Sequence, residues 1–115
     1  MINSKLEAVI NQQINAELYS AYLYLSMSAY FESMNLPGFA NWMKVQFEEE
    51  QFHALKFYNY LVSRGGRVVL EAIEKPQVEW KNPIEDIEHT LEHEKHVTAH
   101  LNNNAKVAEV EKQRT

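Results

Sequence analysis

With 115 residues, the chain is long enough to bury one hydrophobic core unaided, and a single domain over residues 1–115 is expected. A formal charge of −5 argues against nucleic acid as a partner, and the absence of cysteine excludes disulfides, thiolate zinc sites and iron–sulfur centres. No run of about 18 apolar residues could span a membrane. The opening MINSKLEAVINQQ has no apolar export segment, so a cytoplasmic location is expected.

Only three glycines and three prolines interrupt the chain, which favours long helices over many turns. The first helix is predicted over 4–34, opened by a capping box of Ser4 and Glu7. Its apolar stripe runs through Leu6, Ile10, Ile14, Ala21, Leu25 and Ser28, with Glu17 and Tyr24 embedded in it. Leu36-Pro37-Gly38 makes a short corner, and Pro37 suits the first turn of a second helix over 37–64. That helix carries Phe39, Met43, Phe47, Glu50, Ala54, Phe57 and Leu61 on one face, and Gly65-Gly66 stops it.

The next segment, Gly66 to Lys81, has no helical period. At roughly 16 residues it reaches about 50 Å when extended. The second helix is about 42 Å long. The segment can therefore cross the whole length of a bundle and lay the second and third helices parallel, whereas the short corner makes the first two antiparallel. Asn82 caps a third helix predicted over 83–112, whose seam reads Ile84, Ile87, Leu91, Glu94, Thr98, Leu101, Ala105, Ala108. Met27, Met34 and Met43 read as packing residues, and Trp42 and Trp80 as packing and linker-docking residues.

Each helix thus sets a glutamate on its apolar stripe: Glu17, Glu50 and Glu94, with His53 three residues after Glu50 on the same face. A carboxylate in an apolar interior costs several kcal/mol unless compensated, and no Lys or Arg sits on these stripes. A cation from outside the chain is the remedy. Carboxylate and imidazole without sulfur suit iron, manganese or zinc. One Glu from each of two helices with Glu-x-x-His from each of the other two is the ligand pattern of ferritin-like di-metal bundles. Glu17 and Glu94 fit the single carboxylates, and Glu50 with His53 fits one of the two pairs.

The stretches INAELYSAYLYLSMSAYFES, GFANWMKVQFEEEQFHALKFYNYLVSRGGRV and EHEKHVT resemble the bacterial non-haem ferritins over nearly the whole chain. The fold so implied is all-α: a ferritin-like antiparallel helical bundle with a long crossover between the second and third helices. The resemblance implies a di-iron ferroxidase centre that oxidises Fe(II) to Fe(III) with dioxygen or peroxide, with iron stored as ferric mineral. Glu17, Glu50 and His53 would hold the first iron, and Glu50 would bridge to a second iron that Glu94 also binds. Glu49 would match a carboxylate of a third iron site, and Tyr24 the tyrosine beside the centre. Family members have a fourth helix, and the resemblance puts the turn into it at Glu109 to Arg114. Three helices alone leave an apolar seam facing solvent. A homo-oligomer is therefore expected, a 24-subunit shell with a fourth helix restored, otherwise a dimer or smaller assembly.

The alternative function is a truncated, catalytically impaired ferritin-like module that self-associates or pairs with other chains through that seam. His89, His93, His96 and His100 form a stripe that reads as lying opposite the Leu91–Glu94 seam, on a solvated face, and Glu48 reads as solvated too.

Overall fold

The computed structural model describes the backbone of residues 2–114 and the side chains of residues 2–99. Three helices form, α1 (Ser4–Ser33), α2 (Pro37–Ser63) and α3 (Pro83–Arg114), with no strand among the described residues. None of the three is long and apolar enough to cross a membrane. The all-α class and the long crossover both match the sequence.

The cap of α1 is Asn3, not Ser4: its side-chain oxygen accepts from the amides of Lys5 and Leu6. Glu7 does not close a capping box, because its carboxylate accepts the Arg67 amide instead, at 3.2 Å. The first corner is tight because Asn35 takes a left-handed conformation, φ 58°. Its amide then donates to Glu32 and that of Leu36 to Phe31, satisfying carbonyls that a helix end leaves free. The Leu36 carbonyl in turn accepts from Ala40 and opens α2, with Pro37 in its first turn. The same device closes α2: Gly65 has φ 77°, its amide donates to Val62, and that of Gly66 to Leu61. Gly66 has a second reason to be glycine, since a side chain there would collide with Leu61 and Ile2.

α1 is the central element. Its C-terminal half packs Leu23, Met27, Tyr30 and Phe31 on Ala40 and Met43 at the start of α2. Its N-terminal half packs Ile10 and Ile14 on Leu61 near the end of α2, so the two run antiparallel. The crossover is laid along α1. The Asn11 side chain brackets Arg67 and Val69, Ser26 donates to the Gln77 carbonyl, and Trp80 packs on Tyr30, ring centres 5.3 Å apart. α3 then returns against α1, pairing Thr90 with Met27, Glu94 with Tyr24 and His93 with Ser20. The second and third helices are therefore parallel. Among the described residues no Cα of α2 comes within 8 Å of one in α3, although the Thr90 hydroxyl reaches Met43 at 3.8 Å and Ile87 packs against the cluster that holds Ala40 and Met43.

The rotation of α3 differs from its apolar pattern. Asp86 and Thr90 are buried against α1, with Ile87, His93, Glu94 and Val97 half-buried beside them. Ile84 and Leu91, expected on the seam, are 67% and 58% exposed. What α1 offers is polar and polarisable (Ser20, Tyr24, Met27), so the matching face of α3 is polar too. The exposed Ile84 and Leu91 bear out the expectation of an uncovered apolar strip. Leu101, Ala105 and Ala108 lie outside the described side chains. The backbone stays helical to Arg114, so the turn expected over Glu109 to Arg114 is not formed there. Met34 and Trp42 are exposed rather than packed, whereas Met27, Met43 and Trp80 are buried.

Asp86 is fully buried and neither carboxylate oxygen has a hydrogen-bond partner among the described residues. Burial pushes its pKa up from 3.8 to about 7. The unfolded chain therefore loses this proton first, and the folded state is penalised progressively as pH rises from 3.8 to about 7. Urea unfolding across that range should show falling stability in the wild type. Asp86→Asn should be more stable at pH ~8 and lack the part of the slope ending near 7. Equal slopes in the two proteins would refute this account of Asp86.

Candidate metal centre

The acidic residues occupy the gap between two apolar clusters. One cluster gathers around Tyr24, Met27, Phe31 and Met43, the other around Ile10, Ile14 and Leu61. In the sequence of α1, Glu17 falls between Ile14 and Ala21; in α2, Glu50 falls between Met43 and Ala54. Helical periodicity carries both onto the face where the two helices meet, and they are only 1% and 5% exposed.

Glu17 Oε1 accepts a hydrogen bond from Gln13 Nε2 at 2.9 Å, while Glu17 Oε2 and Glu50 Oε2 accept none from any described group. His53 Nδ1 stands 3.8 Å from Glu17 Oε2 and 3.7 Å from Glu50 Oε2, too far for hydrogen bonds but suited to sharing an ion. One ligand atom from each of Glu17, Glu50 and His53 lies within 4.8 Å of the other two. Burial raises the Glu50 pKa from 4.5 to about 9, and the nearby carboxylates of Glu17, Glu94 and Glu49 add to that rise. Two buried carboxylate oxygens without partners, facing an imidazole nitrogen, make a donor set that fits a divalent cation.

His53 is exposed, its side chain 48% accessible, so this centre is closed by α1 and α2 but open along His53. Glu94 is half-buried on α3 and is not among the mutually close ligand atoms. It accepts a hydrogen bond from the buried Tyr24 hydroxyl. Burial, and then the Glu94 bond, raise the Tyr24 pKa, so the phenol keeps its proton. Glu49 and Glu48 are exposed.

The histidine stripe is not simply solvated. His89 Nδ1 accepts from Trp80 Nε1 at 2.9 Å, and His93 Nε2 pairs with Ser20 Oγ at 2.8 Å. Burial lowers the His93 pKa. His96 is exposed and His100 lies outside the described side chains. Sequence reasoning also passed over Gln13, although its position four residues before Glu17, one turn along the same face, was visible.

A family model described as "Ferritin-like domain" matches residues 7–115. A bacterial non-heme ferritin of Bacteroides fragilis (strain 638R) is 44% identical over 112 residues, 97% of this chain and 70% of the relative. One from Staphylococcus epidermidis is 35% identical, over 97% of this chain and 68% of the relative. A solved open-pore ferritin from the hyperthermophilic archaeon Archaeoglobus fulgidus superposes with a TM-score of 0.95 and 49% identity, over 98% of this chain and 70% of that one. The chain belongs to the ferritin-like domain family. Membership and fold together support iron storage or ferroxidase function in general terms, and the family implies iron binding.

In this ferritin-like chain the buried acid of Glu50 works against folding. Glu50 is protonated in the folded state up to about pH 9, against 4.5 unfolded, so its ionisation lowers stability as pH rises between those values. Glu50→Gln removes the buried acid and should stabilise the metal-free protein at pH ~8 by roughly 1–3 kcal/mol, the usual cost of a buried unsatisfied polar group. It should also abolish the stabilisation that added Zn²⁺ gives the wild type. Thermal melts with and without metal measure both effects, and a destabilised metal-free variant would contradict this reading.

Proposed function

We propose that this chain binds iron(II) at Glu17, Glu50 and His53 and oxidises it there, in the service of iron storage. The observation that carries the reading is the pair of buried, unpartnered oxygens, Glu17 Oε2 and Glu50 Oε2, facing His53 Nδ1. Their charge calls for a cation, oxygen and imidazole ligands suit iron(II), and the family selects iron among borderline metals.

In this reading Glu17 and His53 hold the first ion and Glu50 is shared with a second. Glu94 reaches the second ion by turning from the Tyr24 hydroxyl, and Glu49 serves a further ion nearer solvent. The substrate is iron(II) itself. Two ions give up one electron each, and dioxygen takes the two electrons and two protons to become hydrogen peroxide. Peroxide as oxidant would instead take two electrons and two protons to give two waters. Glu50 releases its proton as the cation arrives, so binding strengthens with rising pH up to about 9. Tyr24 positions Glu94 through its hydroxyl. The exposed Ile84 and Leu91 support association into a homo-oligomer.

The same exposed strip favours a second reading, an interaction module that pairs with other ferritin-like chains without catalysis. The two are separated by adding two equivalents of iron(II) per chain in air and following ferric absorbance. Glu50→Ala and His53→Ala should slow the initial rate by roughly 100-fold, the upper end of what loss of a supporting metal-site group costs. Rates equal to wild type, with sedimentation indifferent to iron, would favour the interaction module instead.

A further inference from the structure

The two oxygens of Glu17 are treated differently by their surroundings. Gln13 Nε2 donates to Glu17 Oε1 at 2.9 Å, and Gln13 is itself only 2% exposed. An ionised carboxylate only accepts, so the Gln13 amide must present its NH₂ to it. Glu17 Oε2 has no hydrogen-bond partner among the described residues and stands 3.8 Å from His53 Nδ1. One oxygen is thus turned to the protein and the other to the Glu17–Glu50–His53 group. We propose that Gln13 is a positioning residue for the cation of that group: by holding Oε1 it confines Glu17 to a single ligand oxygen, and so favours borderline divalent ions over calcium.

Packing alone does not hold the Glu17 carboxylate. Glu17 and Gln13 both line a cavity of about 330 Å³ between α1 and α3, with Ser20 and Val97 among its other walls. A carboxylate released from Gln13 therefore has space to rotate, where a close-packed core would leave none. The tether comes from one turn earlier on the same helix, so it moves with Glu17 and is not loosened by a shift of α2 or α3. Hydrogen bonds of this kind, from a group that does not touch the metal to a carboxylate that does, set the orientation of the ligand.

The effect on metal choice follows from ligand counting. Calcium takes about six to eight oxygens and readily draws two of them from one carboxylate. Zinc is content with about four ligands, and zinc and iron(II) both accept imidazole. With Oε1 held, chelation by Glu17 would first have to break a buried hydrogen bond. This role rests on the reading of the Glu17–Glu50–His53 group as a cation site, and adds the residue that sets which ions the group prefers. A Gln13 that only satisfies a buried acceptor would make the same bond but leave the choice of ion untouched.

Gln13→Met keeps the length of the side chain and removes the donor, and it is tested in the full-length chain by calorimetric titration with Zn²⁺. Binding should be about 10- to 100-fold weaker than in wild type. The Ca²⁺ concentration that displaces half of the bound Zn²⁺ should fall by about tenfold or more, whereas a general loosening of the site would weaken both ions alike and leave that concentration unchanged. Gln13→Asn, whose amide is one methylene short of Glu17, should behave as Gln13→Met does, and decides alone if circular dichroism shows the methionine variant unfolded. His53→Ala leaves the tether in place and tests the centre itself. If His53→Ala binds Zn²⁺ as wild type does, the reading of the centre falls and the role of Gln13 with it. If His53→Ala loses affinity while the Gln13 variants keep the wild-type preference for Zn²⁺ over Ca²⁺, the centre stands and the positioning role is overturned.

Discussion

Two carboxylates placed side by side where the core should be oily are the constraint on which this structure turns. Glu17 and Glu50 sit in the break between two apolar clusters, each with an oxygen that accepts no hydrogen bond. Filling that layer with leucine would join the clusters and gain about 1.5–3 kcal/mol for each side chain buried. The chain instead keeps an arrangement whose charged form is costly, as the raised Glu50 pKa records. A layer of this kind suits a protein that trades metal-free stability for affinity toward an ion.

The rest of the fold holds that layer in place. α1 carries Glu17 and is gripped on both sides, by α2 through the two clusters and by the crossover through Asn11, Ser26 and Tyr30. Glu17 and Glu50 therefore project from the best-packed pair of helices, where their separation is fixed. Glu94 projects from α3, which is joined to α1 through Tyr24, Ser20, Met27 and the solvent-starved Asp86, and whose backbone does not approach α2. The two fixed carboxylates and the third, more adjustable one thus belong to different packing regimes. Gln13 reinforces the division by fixing one oxygen of Glu17 and leaving the other toward His53.

Much of this was legible in the chain itself. All three acids announced themselves as interruptions of apolar stripes, and Glu17 and Glu50 proved fully inward because both faces of the α1–α2 contact are apolar, whereas Glu94 is half-buried. Gly65-Gly66 and Asn82-Pro83 marked helix ends through local chemistry that tertiary contacts do not override, as the Asn82 bond to the Glu85 amide shows. The rotation of α3 was not legible. Its apolar residues Ile84 and Leu91 advertise a seam, yet the face that docks on α1 carries Asp86, Thr90 and His93. Hydrophobic periodicity reports which residues would gain from burial, not which neighbours are present to bury them. The exposure of His53 escaped for the same reason: its stripe is inward on α2, but α1 covers only part of that side. At the N-terminus two adjacent cap formers, Asn3 and Ser4, competed, and Glu7 decided for Asn3 by turning to the Arg67 amide.

The polar docking of α3 bears on how the centre could work. Tyr24 keeps its proton and gives it to Glu94 in a hydrogen bond, so in the metal-free state Glu94 is occupied. A cation arriving beside Glu50 competes for the same carboxylate with a full charge against a neutral donor, and in a dry layer the charge prevails. In the proposed reading Glu94 would then turn from Tyr24 without moving the helix pair that holds Glu17 and Glu50. The phenol left behind faces a more positive neighbourhood, which lowers the cost of its ionisation. If Glu94 is a ligand, as proposed, the Tyr24–Glu94 bond would act as a latch on the least anchored of the set, released when a cation arrives.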